Sequence, residues 1–155
     1  MNDDIWKERL RSVLGDFDLL EKCKRDTLEN FEQFYEFIAE PAFESLRLEL
    51  RAYRLKASYG RLKKRRMLYF RVNFPRSRTE NFYYILVLPK NAVEMRLKMI
   101  VRGRRIPQAA FEDREDAFLP GLSPREIMKM ERETLILDVI ARYQEFNYRA
   151  RTTPD

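Results

Sequence analysis

Between Tyr53 and Arg102 the apolar residues stop recurring every third or fourth position and recur every second one, in short successive runs. That change of period constrains the fold more than any other feature, because side chains alternate across a strand but wind around a helix. Tyr53, Leu55, Ala57 and Tyr59 alternate with Arg54, Lys56 and Ser58, and Gly60 is placed to turn the chain. Leu68, Phe70, Val72 and Phe74 then share one face, with Met67, Tyr69, Arg71 and Asn73 on the other, until Pro75 ends the run. The stretch NFYYILVLP is apolar on both faces, as a central strand would be. Val93, Met95, Leu97, Met99 and Val101 alternate with Glu94, Arg96, Lys98, Ile100 and Arg102, which gives a fourth strand with a basic second face. The links at Arg76 to Thr79 and Lys90 to Asn91 are short enough for an antiparallel meander.

Helical spacing flanks this region on both sides. Ile5, Trp6, Leu10, Val13 and Leu14 read as a short helix stopped at Gly15. Leu19, Leu20, Cys23, Thr27, Leu28, Phe31, Phe34, Tyr35 and Ile38 read as a longer one that Pro41 should end or kink, with helix resuming to about residue 51. Near the other end, Ser123-Pro124-Arg125-Glu126 is a capping box with proline at the first helical position, so a helix is expected to start there and run to about Asn147. The expected class is α+β: N-terminal helices, a roughly four-stranded antiparallel sheet, and a C-terminal helix covering one sheet face. The length of 155 residues suits a single domain, divided as 1–51 mainly helical, 52–103 sheet, 104–122 loop, 123–147 helix and 148–155 tail.

Charge is distributed unevenly along this framework. Residues 1–50 carry 7 basic and 13 acidic residues, and 106–155 carry 7 and 10, whereas 51–105 carry 17 basic residues and only Glu80 and Glu94 as acids. The run GRLKKRRMLYFRVNF delivers much of that charge straight into a core strand. If Leu68, Phe70 and Val72 face the helices, then Tyr69, Arg71, Arg96, Lys98 and Arg102 share the opposite face, beside the turn from Arg61 to Arg66. Cations interleaved with tyrosines neutralise phosphates and offer ring faces to bases. The residues expected to bind nucleic acid, DNA or RNA, are Arg61, Lys63, Lys64, Arg65, Arg66, Tyr69, Arg71, Arg96, Lys98, Arg102, Arg104 and Arg105. A second reading makes the chain an adaptor or oligomer subunit, its basic face held against an acidic protein or its N-terminal apolar surface against its own copy. Under the structural alternative, the charges form a solvated turn balanced by the acidic flanks, lysine and arginine guard strand edges, and Tyr53, Tyr59, Tyr83 and Tyr84 belong to the core.

Chemistry finds little support in the sequence. The chain has no histidine, which removes histidine-based triads, general bases and metal sites. Cys23 is the single cysteine, so no internal disulfide or cysteine zinc cluster forms, and its helical spacing makes it a core thiol. Phosphate-binding glycine loops and nucleophile elbows are missing. Glu112, Asp113, Glu115 and Asp116 could supply oxygens to Mg²⁺, but successive acids in a loop ordinarily face solvent, and no metal or cofactor is expected. No membrane span and no secretory leader are read from the sequence, which makes a cytoplasmic location the expectation.

Overall fold

The computed structural model describes residues 2–153. Helix α1 spans Asn2–Phe34, passes through one π-helical turn at Tyr35–Ala39, and continues as α2, Glu40–Ala52. Gly15 therefore does not stop the first helix. A lone glycine costs a helix only about 1 kcal/mol relative to alanine, and nothing lies within 4 Å of the position a Cβ would take there. Pro41 does not end the second pattern either. Just before it the ladder widens, with the Glu40 N–H donating to the Tyr35 carbonyl five residues back. Proline thus enters in the first turn of α2, where a missing donor costs nothing.

Five strands follow: β1 (Ala57–Leu62), β2 (Met67–Asn73), β3 (Glu80–Val87), β4 (Lys98–Gly103) and β5 (Glu112–Ala117). They pair antiparallel in sequence order, so the sheet is the expected meander with one more strand. β3 is its centre, as its two apolar faces required. The first strand begins at Ala57 rather than Tyr53 and runs through Gly60, which makes no turn. A Cβ at Gly60 would come within 2.9 Å of the Tyr69 hydroxyl, so the bare backbone is what lets that side chain lie across the strand. The turn falls instead on Lys63–Arg65, a single 3₁₀ turn closed by Arg66 in the left-handed region at φ 50°. Pairing in the fourth strand starts only at Lys98, although Met95 and Leu97 before it are buried. Residues 112–117, expected to be loop, form the fifth strand.

The helices cover one face. Leu68, Phe70 and Val72 from β2, Phe82, Tyr84 and Leu86 from β3, and Met99 from β4 pack with Phe34, Phe43, Leu135 and Val139. Phe43 sits 5.4 Å from Phe70 and Tyr143 sits 5.3 Å from Phe82, centroid to centroid. Each such side chain contributes roughly 1.5–3 kcal/mol by leaving water. Cys23 is only half-buried, short of the core position expected for it.

The capping box forms as read: Ser123 Oγ accepts from the Glu126 N–H, and the Ser123 N–H donates to Glu126 Oε1, both at 3.1 Å. The helix it starts, α3 (Pro124–Ile127), lasts one turn, and α4 (Arg132–Thr152) begins separately. The five-residue step from Met130 to Leu135 breaks the helical period, which resumes through Leu135, Val139, Tyr143 and Phe146. Residues 148–152, expected as a frayed tail, are helical, and the Thr153 carbonyl accepts from Arg105 Nη2 at 2.9 Å. Residues 154 and 155 of that tail lie outside the described residues. Among the described residues no helix is long and apolar enough to cross a membrane.

Candidate functional site

The face of the sheet turned away from the helical core is built in rows, because directly paired residues of neighbouring strands point the same way. One row runs Ser58, Arg71, Tyr83, Arg102, Asp113 from β1 to β5. The next runs Gly60, Tyr69, Ile85, Ile100, Glu115, and the third Leu62, Met67, Val87, Lys98, Ala117. The tyrosines meet in the middle, with the Tyr69 ring centroid 6.4 Å from that of Tyr83. Phe111, just before β5, extends the strip with its ring 5.7 Å from Tyr83 and nearly perpendicular to it. The Arg104 guanidinium covers Phe111 at 4.1 Å from the ring centroid. Three aromatic rings and an arginine plane thus cross the sheet beside Ile85 and Ile100.

The cations of this face are held by the chain itself. Arg102 makes two hydrogen bonds to Asp113, of 2.7 and 2.9 Å. That pairing holds the Asp113 carboxyl below the usual carboxylate range and raises the Arg102 guanidinium above its ordinary value. Lys98 Nζ lies 2.9 Å from Glu115. Arg71 Nε donates to Ser58 Oγ, and its Nη1 stands 3.8 Å from Glu80. Arg104 Nε donates to the Glu80 carbonyl at 2.7 Å and its Nη2 meets the Glu80 carboxylate at 3.0 Å.

The acidic cluster is therefore the partner strand of the basic one. Its alternation sends Asp113 and Glu115 to the open face and Asp116 to the helix side, where Arg142 stands 3.7 Å away, so the four carboxylates do not converge. Among the described residues no group of three or more metal-ligating side chains is placed to hold an ion.

Four cations stay outside this pairing. Lys63, Lys64, Arg65 and Arg66 occupy the β1–β2 turn at the Leu62 end of the face, with no ion-pair partner among the described residues. Arg66 is half-buried at the turn's end, and the other three are exposed.

Of the twelve residues the sequence singled out, the sheet brings together Tyr69, Arg71, Lys98 and Arg102, with the 63–66 turn at one end and Arg104 at the margin. Two fall elsewhere. Arg61 pairs with Leu68 in register and so points to the helix side, its guanidinium 5.1 Å from the Tyr35 ring centroid and 3.8 Å from Glu32. Arg96 precedes β4 and pairs with Glu94 at 2.9 Å. Arg105 turns toward the end of α4. The twelve omit Tyr83, which only the structural alternative assigns to the core, and Phe111. Strand parity was the signal for Tyr83, since its neighbours Phe82 and Tyr84 are both buried and it must face the other way. Compared with known proteins, the chain matches no family model, no curated protein and no solved structure.

Proposed function

We propose that the protein is a non-catalytic binder of single-stranded nucleic acid, with the bases on the open sheet face and the phosphates on the 63–66 turn. The observation that carries this reading is the aromatic strip Tyr69, Tyr83, Phe111, lying across a sheet face beside four cations that have no ion-pair partner among the described residues. Ring faces on a sheet stack bases at about 1–3 kcal/mol each and tolerate any sequence. Arg71 and Arg102 flank Tyr83 on both sides in register, fixed by Ser58, Glu80 and Asp113. Their role is to shape the platform, while the turn supplies most of the charge that a phosphate chain neutralises. Duplex fits less well, because a flat face presents no helix or ribbon to a groove.

A second reading is favoured by the row Leu62, Met67, Val87, Lys98, Ala117: an acidic peptide with apolar side chains would lie along this row and meet the same turn. Fluorescence anisotropy of labelled single- and double-stranded DNA and RNA, titrated over a range of salt, separates the two. The nucleic-acid reading requires single-strand binding whose log affinity falls with log salt at a slope of roughly 2–3, about 0.7 per phosphate for four cations. Absence of binding at low salt refutes it and moves the search to acidic proteins.

A further inference from the structure

The long helix α1 carries a stripe that the fold uses for only half its length. Trp6, Leu10, Val13, Phe17 and Leu20 follow one another at alternating four- and three-residue steps, and the same spacing continues through Lys24 to Thr27, Phe31 and Phe34. The inner members are buried, Thr27 at 3%, Phe31 at 5% and Phe34 at 0% exposure, whereas Trp6 is 52%, Leu10 50%, Val13 38%, Phe17 56% and Leu20 45% exposed. Every residue from 4 to 22 is exposed, so this part of α1 extends beyond the body, for a length of about 28 Å. Sustained three-and-four spacing is the pattern of a helix that lies along another helix.

We infer that residues 4–22 pair with the same segment of a second copy of this chain, antiparallel, to form a two-fold symmetric dimer. This inference does not rest on the nucleic-acid reading. The orientation follows from the charges beside the stripe. Setting Leu10 against Val13 of the second copy also sets Trp6 against Phe17, and it brings Arg9 beside Asp16 on both sides of the two-fold axis. A parallel pairing in register instead brings Asp16 toward Glu21 twice. Leu14 borders the seam, and Gly15, with open space around it, lies on the side away from the seam. Five half-exposed large side chains and Leu14 from each copy supply apolar area on the order of the 1,000 Å² that a specific pair requires. A membrane surface is the weaker occupant: the segment holds five acids against four bases, whereas helices that lie on anionic lipid carry a basic polar face.

Sedimentation equilibrium of the full chain tests the pairing, with the double variant L10E/F17E as control and circular dichroism to show that the fold is kept. Dimer is expected for the native chain and monomer for the variant. R9D should weaken the dimer about tenfold, and R9D/D16R should restore it. The single cysteine, Cys23, takes a spin label without further engineering, and antiparallel pairing sets the two labels about 35 Å apart. A native chain that stays monomeric, or a dimer indifferent to L10E/F17E, overturns the inference. A label separation of about 10 Å, the spacing of parallel neighbouring helices, overturns the orientation.

Discussion

Arg102 and Asp113 stand directly opposite each other on β4 and β5 and join through two hydrogen bonds, of 2.7 and 2.9 Å. The pair sits beside Tyr83 on the open face, so a cation that could reach a phosphate is neutralised by the chain. D113N should release it. Affinity for a single-stranded oligonucleotide is expected to rise about threefold to tenfold, with a salt slope steeper by about 0.7 for one added phosphate contact. Anisotropy titrations of D113N and the native protein at two salt concentrations check this.

Tyr69 and Tyr83 are half-exposed and contribute little to the core, so Y69A and Y83A should each cost about 1–3 kcal/mol of binding by lost stacking. Thermal unfolding should change little. Gly60 offers a separate handle, because G60A places a methyl group against the Tyr69 side chain and should shift the ring. Weaker binding at unchanged melting temperature is expected for all three variants, and comparing binding with calorimetry distinguishes a site effect from a folding one.

Glu44 ties α2 to the sheet edge, accepting from Tyr59 at 2.7 Å and from Arg47 at 2.6 and 3.0 Å. The Arg47 and Tyr59 bonds bring its carboxyl down to about 2, while burial and the bond to Glu44 push the Tyr59 phenol up to about 12. The signs follow from linkage. An unfolded chain takes up the Glu44 proton at higher pH than the folded one, so this stabilisation is present above the ordinary glutamate value and lost as pH falls toward 2. An unfolded chain releases the Tyr59 proton earlier, so that stabilisation is present below the ordinary tyrosine value and lost as pH rises toward 12. Urea midpoints across pH should fall at both ends for the native protein, and Y59F should remove the alkaline fall that Tyr59 causes.

Phe146 on α4 rests on the backbone of Gly103, where an added Cβ would lie 2.3 Å from the ring. The ring has no room to accept a methyl group in place, so G103A should cost about 1–3 kcal/mol through overpacking. A lowered urea midpoint with an unchanged slope is the expected result.

The sheet was legible because β2 and the run leading into β4 alternate and β3 is apolar on both faces, and the capping box at Ser123 announced a helix start by local chemistry alone. β5 was not legible: EDREDA lacks the apolar alternation that marks a strand, and only the basic residues of β4 opposite it give those acids a reason to pair. The same omission made the open face look more basic than it is, since Lys98 and Arg102 were counted without Glu115 and Asp113. Arg61 was misplaced because the turn fell after Leu62 rather than at Gly60, which fixed its direction to the helix side. Tyr69 and Arg71 were placed correctly because strand parity in β2 survives any uncertainty about the turn.

The most direct test follows the backbone amide and tyrosine ring resonances of the labelled protein as a short oligouridine or oligothymidine is added. Shifts should concentrate at Tyr69, Tyr83, Ile100 and residues 63–66, with Leu135 and Val139 on the helix side unmoved. A spectrum indifferent to the oligonucleotide at low salt, or shifts confined to the helical side, would contradict the assignment of the open face as a nucleic-acid platform.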